Sequence, residues 1–241
     1  MHAPLRADSR RQIVEALARQ VRRLEDGRRG SREESVSSGC EALDRLLPDG
    51  GFRRGTLVEW FSDSEGSGAA TLSLHSAREA CREGHALVMI DGRGEFYPPA
   101  AAGLGIDLTR TILVRPGRAD DELWALDQAL RCRGVGAVWS WQQTLADRAF
   151  RRLQLAAEAG GALGLFLRPM DARSAPSWAE LRLSVEPVPS PLGRRWQVKL
   201  LRCRAAARSS SIEIEWNDET GVVRLASKLG DTAPQRRSAG A

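Results

Sequence analysis

Lysine is almost missing from this chain: of 36 basic residues only Lys199 and Lys228 are lysines, and the rest are arginines. That bias reads first as a codon habit of a GC-rich genome and second as recognition chemistry. Long apolar runs are missing too. No stretch approaches the roughly 18 residues that would cross a bilayer as a helix, and residues 1–6 lack the apolar core of a signal peptide. The expectation is a cytoplasmic protein with no membrane contact. Cysteine is scarce and scattered: Cys40, Cys81, Cys132 and Cys203 form no CxxC pair, which argues against a metal site and a disulfide framework and predicts buried free thiols. His75 and His85 have no Cys, His or carboxylate at ligand spacing, so neither reads as a metal ligand or a catalytic group.

What is present suits one α/β domain with small appendages: 241 residues are enough to bury a substantial core. The net charge of +5 is unevenly placed. Residues 1–32 hold nine arginines against four carboxylates, which accounts for all of it, and the remainder is neutral. A basic extension on a neutral core contacts something acidic or is solvated. Within it, residues 9–27 read as an amphipathic helix whose stripe is Ile13, Leu17, Val21 and Leu24. That stripe either packs on its own domain or docks on a neighbouring subunit or partner.

The stretch around which the chain is organised is 55–72. Residues 56–61 are apolar and β-rich, 62–68 are small and polar, and from Ala69 onward Ala and Leu recur at helical spacing. This is the strand, turn and helix of a phosphate-binding loop. Such a loop needs glycines so that backbone N–H groups cradle phosphates, a Lys for the outer oxygens, and a Ser or Thr for magnesium. Here the weak, degenerate nucleotide site would be Gly66, Ser67, Gly68, Ala69, Ala70 and Thr71, with alanines standing where Lys and Ser/Thr belong. Losing one electrostatic contact of this kind costs roughly 3–4 kcal/mol of barrier. Two losses predict no ATP hydrolysis and no catalytic residue, although loose ATP binding stays open; Ser62, Ser64 and Ser67 are turn formers with no His–Asp pairing in view.

Along the chain, short helices or strands alternate: a helix at 41–47, strands at 56–61, 86–91, 111–115, 137–141 and 163–168, and helices at 70–84, 97–104, 120–132 and 145–159. Such alternation predicts a mostly parallel twisted sheet covered on both faces. Beyond Pro169 the pattern changes to successive strands at 178–185, 195–204, 211–216 and 221–225, read as an antiparallel C-terminal extension. The domain plan is a basic helix and linker over 1–35, a core over 36–226 and a disordered tail over 227–241.

The order Ser-Ser-Gly-Cys-Glu-Ala-Leu-Asp (37–44), Gly-Gly-Phe-Arg-Arg-Gly-Thr-Leu-Val-Glu (50–59), the loop, His-Ala-Leu-Val-Met-Ile-Asp (85–91) and Leu-Gly-Ile-Asp-Leu (104–108) resembles the core of bacterial RecA recombinases. The resemblance implies an α/β, RecA-like P-loop NTPase fold over 36–217. It also exposes departures. The family's loop Lys corresponds to Ala69, its water-activating acid falls near Arg93 or Glu95, and its magnesium-holding Asp falls at Ser140 or Trp141. Trp139 and Trp141 share one strand face and neither holds a metal; the plain reading is two indoles packed under a helix. Residues 169–178 are too short and glycine-poor for the family's second DNA-binding loop. The run 200–208 resembles the basic segment that reaches a neighbouring subunit's nucleotide. Arg202, Arg204, Arg208 and nearby Lys199 could grip phosphates or an acidic partner, or could serve only to discourage aggregation at a sheet edge.

A RecA-like core of this size with an Arg-rich N-terminal helix and worn nucleotide motifs is similar to the ImuA family. That resemblance implies a non-catalytic role in SOS-induced, error-prone translesion synthesis. The partners it implies are an ImuB-like Y-family polymerase homologue, an error-prone C-family polymerase and RecA, with DNA contact also open. The alternatives are an ATP-dependent recombinase completed by residues such as Glu65 or Glu95, and a SulA-like division inhibitor, against which the turn at 66–68 counts.

Overall fold

The computed structural model describes residues 35–63, 66–190, 193–203, 210–217 and 222–226. The stripe Ile13, Leu17, Val21 and Leu24 and the tail 227–241 lie outside the described residues. The described chain opens with β1 (Ser35–Val36), α1 (Glu41–Leu46) and β2 (Phe52–Arg53), the two strands pairing in a small sheet of their own. The carboxylate of Asp44 accepts Ser37 Oγ (2.6 Å) and Ser38 N (2.7 Å). The 37–44 motif is thus a turn pinned back onto its helix.

The main sheet follows from runs of apolar residues that bury both faces. Its strands are β3 (Leu57–Ser62), β4 (Ala86–Ile90), β5 (Thr111–Val114), β6 (Val135–Trp141), β7 (Leu163–Pro169), β8 (Leu181–Val188), β9 (Arg194–Cys203), β10 (Ser210–Asn217) and β11 (Val222–Leu225). Across the sheet their order is β11-β10-β9-β8-β3-β7-β6-β4-β5. Between them lie α2 (Ala69–Ala80), α3 (Pro98–Gly103), α4 (Ala119–Arg131) and α5 (Asp147–Gly160). Every residue of the central β3 is buried. Its alternation feeds two cores: Val58 and Trp60 pack with Leu72, Ala77 and Leu165 on the α2 side, while Leu57 packs with Leu126, Leu130 and Phe150 under α4 and α5.

The antiparallel C-terminal extension is present, β8 to β11 pairing antiparallel in turn. Its first strand, β8, joins the rest of the sheet by running parallel to β3 through Val58↔Leu181 to Phe61↔Ser184. Residues 170–180, with a 3-10 turn at Met170–Ser174, supply the crossover without a full helix, and side-chain alternation carries no information about strand direction. The expectation of buried thiols is corrected: Cys40 and Cys203 are buried, but Cys81 is half-buried and Cys132 is exposed just past the end of α4. Burial pushes the Cys40 thiol up and the Cys81 thiol up to about 11, which leaves both unreactive at neutral pH.

A buried charge cluster joins the strands where the sheet turns from parallel to antiparallel. Glu59 on β3, fully buried, receives Arg168 of β7 and Arg182 of β8, the latter with Nε 2.8 Å from Oε2, and Ser177 Oγ donates to it at 2.6 Å. Burial lowers the Arg182 pKa against the pull of Glu59. Removing one partner from such a cluster strands the others. Glu59→Gln is therefore expected to cost about 3–5 kcal/mol, read as a fall in the urea midpoint, and a loss below about 1 kcal/mol would contradict the cluster's role.

Helices α4 and α5 are tied by Asp127, whose oxygens accept Arg131 Nε and Arg152 Nε, both at 3.0 Å. Burial alone would raise the Asp127 pKa, but the hydrogen bonds from Arg152 and Arg131 outweigh it and hold the carboxyl below the usual range. A depressed folded pKa stabilises above the unfolded value of about 4 and stops doing so as pH falls through the folded value. Asp127→Asn should cost about 1 kcal/mol at pH 7, with the gap to wild type closing towards pH 3 in thermal melts.

Candidate functional site

The phosphate-loop stretch does fold as a strand, turn and helix. β3 ends at buried Ser62, Ser64 and Glu65 lie outside the described residues, and Gly66 and Gly68 take φ of +81° and +94°. Gly68 is the N-cap of α2, and the first turn closes through Leu72 N donating to Gly68 O at 2.9 Å. A side chain at Gly68 is barred twice. Its φ disfavours any L-residue, and a Cβ there would sit 2.2 Å from Nε1 and 2.3 Å from Cε2 of Trp196 on β9. Ala69 is packed in the core with its N–H 3.5 Å from Ser67 Oγ, whereas Ala70 and Thr71 face a cavity.

That cavity, about 360 Å³, lies at the carboxyl ends of β3, β4, β6 and β7, where open α/β sheets bind ligands. At the end of β4, buried Asp91 closes the following turn: Oδ1 accepts Glu95 N (2.9 Å), and Oδ2 accepts Phe96 N (3.1 Å) and Arg115 Nε (3.3 Å). The two positions the sequence offered for the family's acid stand side by side, Arg93 Nη2 lying 2.8 Å from Glu95 Oε1. The Arg93 guanidinium also sits 4.8 Å from the centre of the Trp141 ring. Sequence reasoning passed over Asp91 as a site residue. The available signal was a carboxylate directly after the apolar run 86–90.

On β6, alternation divides the candidate metal positions. Trp139 donates Nε1–H to Ser73 Oγ of α2 at 2.9 Å, and both Trp139 and Trp141 line the cavity. Ser140 faces the other side of the sheet, where its hydroxyl donates to Ile90 O (3.0 Å) and Gln142 Nε2 donates to Ser140 Oγ and to Glu122. Among the described residues no group of three His, Cys, Asp or Glu could hold a metal ion.

The basic segment is only partly described. Lys199 Nζ lies 3.0 and 2.9 Å from the two oxygens of Glu186, so its charge is met within the sheet. Arg202 is exposed opposite Arg182 in the β8–β9 register. Arg204 and Arg208 lie outside the described residues. Glycine turn, aromatic cavity and β9 indole therefore come together in space, and Arg202 lies elsewhere along β9, outside the cavity lining.

A phosphate-loop turn at the head of a mostly parallel sheet, with an antiparallel extension packed against it, defines a RecA-like P-loop domain. The chain belongs to the RecA N-terminal domain family, whose profile matches residues 14–139. It is 32% identical over 130 residues to protein RecA of Chlorobium chlorochromatii, covering 52% of this chain and 36% of that one. To protein RecA of Synechococcus sp. strain WH7803 it is 34% identical over 118 residues, 49% of this chain and 30% of the relative. The chain thus spans about a third of the length of the curated relatives it matches. Among solved structures it resembles the RadB recombinase, with a TM-score of 0.64 at 18% identity over 80% of this chain and all of that one.

Gly68→Ala should cost about 2–4 kcal/mol, the left-handed strain and the indole clash acting together. Combined with Trp196→Ala in a double-mutant cycle, the two losses should fall short of additivity by at least about 0.5 kcal/mol. Additive losses in denaturant unfolding would show that the indole does not rest on the glycine.

Proposed function

We propose that this chain is a non-catalytic accessory protein of the ImuA kind, a RecA-shaped binding module in SOS-induced, error-prone translesion DNA synthesis. The observation that carries the reading is the exchange of side chains inside a retained frame. Core-packed Ala69 and cavity-facing Ala70 stand where the cation and the metal hydroxyl belong, and Trp139 and Trp141 stand on the strand that carries the metal acid in the family. Magnesium nucleotide does not match this donor set. Among the described residues the one carboxylate buried on the cavity wall, Asp91, is occupied by the turn it closes and by Arg115.

On this reading the partners are an ImuB-like Y-family polymerase homologue, an error-prone C-family polymerase and RecA, and the working compartment is the cytoplasm. That assignment rests on the likeness to ImuA. The stripe Ile13, Leu17, Val21 and Leu24 supplies one docking face, and Arg202, Arg204 and Arg208 supply a contact for an acidic partner or DNA phosphates, Lys199 being taken by Glu186. Among the described residues no helix is long and apolar enough to cross a membrane.

A second reading, an ATP-dependent recombinase, has in its favour the RecA relatives and Glu95 at the cavity edge. Purified protein should hydrolyse no ATP, with or without single-stranded DNA. A DNA-stimulated rate would decide for the recombinase. Co-purification from DNA-damaged cells should recover the polymerase-like partners.

A further inference from the structure

We propose that the cavity at the carboxyl edge of the sheet takes, in place of a nucleotide, an uncharged apolar anchor side chain from a protein partner. The proposal rests on the adaptor reading above and names the chemistry of that adaptor's central contact. The anchor is aromatic or large aliphatic. At about 360 Å³ the cavity lies at the small end of the roughly 300–1,000 Å³ range of ligand pockets. Its walls are Trp139 and Trp141 of β6, Trp196 of β9, Leu74 of α2, and Phe96 and Leu104 flanking α3.

The charges on this lining decide the ligand class. Asp91 is held by Arg115 and two backbone N–H groups, Arg93 pairs with Glu95 while lying over Trp141, and Arg194 lies over the Trp216 ring at 5.5 Å. A triphosphate brings several negative charges into this space. A triphosphate drawn to Arg93 would also meet the Glu95 carboxylate beside it, a like-charge contact that opposes binding and that solvent screens in part, the two side chains being 38% and 57% exposed. A polar metabolite meets a similar obstacle, because a desolvated polar ligand needs convergent donors and acceptors. On this wall the buried carboxylate, Asp91, is committed to the 91–96 turn and to Arg115.

An apolar side chain needs none of them and gains from every indole it covers. The mouth fits a protein source. Tyr97 stands 65% exposed on one side with the Arg93–Glu95 pair beside it, an aromatic and arginine rim of the kind that surrounds anchor residues at interfaces. Inside, Asp91 is held by Arg115, which leaves the Trp139, Trp141 and Trp196 walls to an uncharged group.

The test uses the full chain with Nile red as a neutral fluorescent reporter, N-acetyl-tryptophanamide as the anchor mimic, and magnesium ATP. Nile red emission should rise and shift to the blue on binding, and the tryptophanamide should displace it while ATP does not. Ala100→Trp plugs the mouth from an exposed position of α3 and should weaken the dye by about tenfold or more with an unchanged circular dichroism spectrum. Equal dye binding by this variant, or displacement by ATP, would overturn the proposal. So would a small metabolite retained by the purified protein in native mass spectrometry. The double variant Ala69→Lys/Ala70→Thr separates this inference from the functional reading. It should still fail to bind ATP, because the indole wall and paired charges remain; if it gains ATP affinity the cavity proposal falls while the absence of hydrolysis in the native protein stands. ATP hydrolysis by the native chain sinks the functional reading instead.

Discussion

The contact on which the rest of the structure depends is the indole of Trp196 resting on Gly68. It joins the antiparallel extension to the turn that opens α2, and it leaves no room for a Cβ at that glycine. Trp196 in turn meets Trp216 edge-on at 6.3 Å between ring centres, and Trp216 meets His75 of α2 at 5.1 Å. A chain of rings thus runs from β10 through β9 to the head of the helix. A glycine turn held in this way is required by the packing of two sheet segments, whatever else the turn does.

The same logic organises the cavity. In a motor of this fold the space between loop and strand ends is reserved for charge. Here Trp139 lines it and bonds to Ser73, Trp141 lines it too, Arg93 pairs with Glu95 and Asp91 with Arg115. The buried cluster of Glu59, Arg168 and Arg182 lies on the other face, beneath the crossover 170–180. Its cations are committed to Glu59 and to main-chain oxygens of Gln143 and Ala172. Charge in the Glu59 cluster thus ties β3, β7 and β8 together.

Much of the architecture was legible in the sequence because its signals are local. The five apolar runs at 56–61, 86–91, 111–115, 137–141 and 163–168 became β3 to β7 nearly residue for residue. Helix boundaries shifted more. The α2 helix stops at Ala80 rather than running to residue 84, because Cys81 to Gly84 form a turn whose glycine takes φ of +88°. That alanines follow Gly68 in the loop is likewise a local fact, read directly from Ala69 and Ala70.

What the sequence by itself determined was composition at fixed places: buried strands, a glycine turn without lysine, paired tryptophans two residues apart, a charged N-terminal segment. Only the tertiary structure decided that β8 joins β3 in parallel, that Asp91 is spent on a turn, and that Lys199 is neutralised by Glu186 thirteen residues earlier in the chain. The physical reason is one of range. Burial periodicity and turn chemistry act between neighbours in the chain, whereas strand direction, ion-pair partners and the placing of an indole over a glycine are set by segments brought together through the sheet.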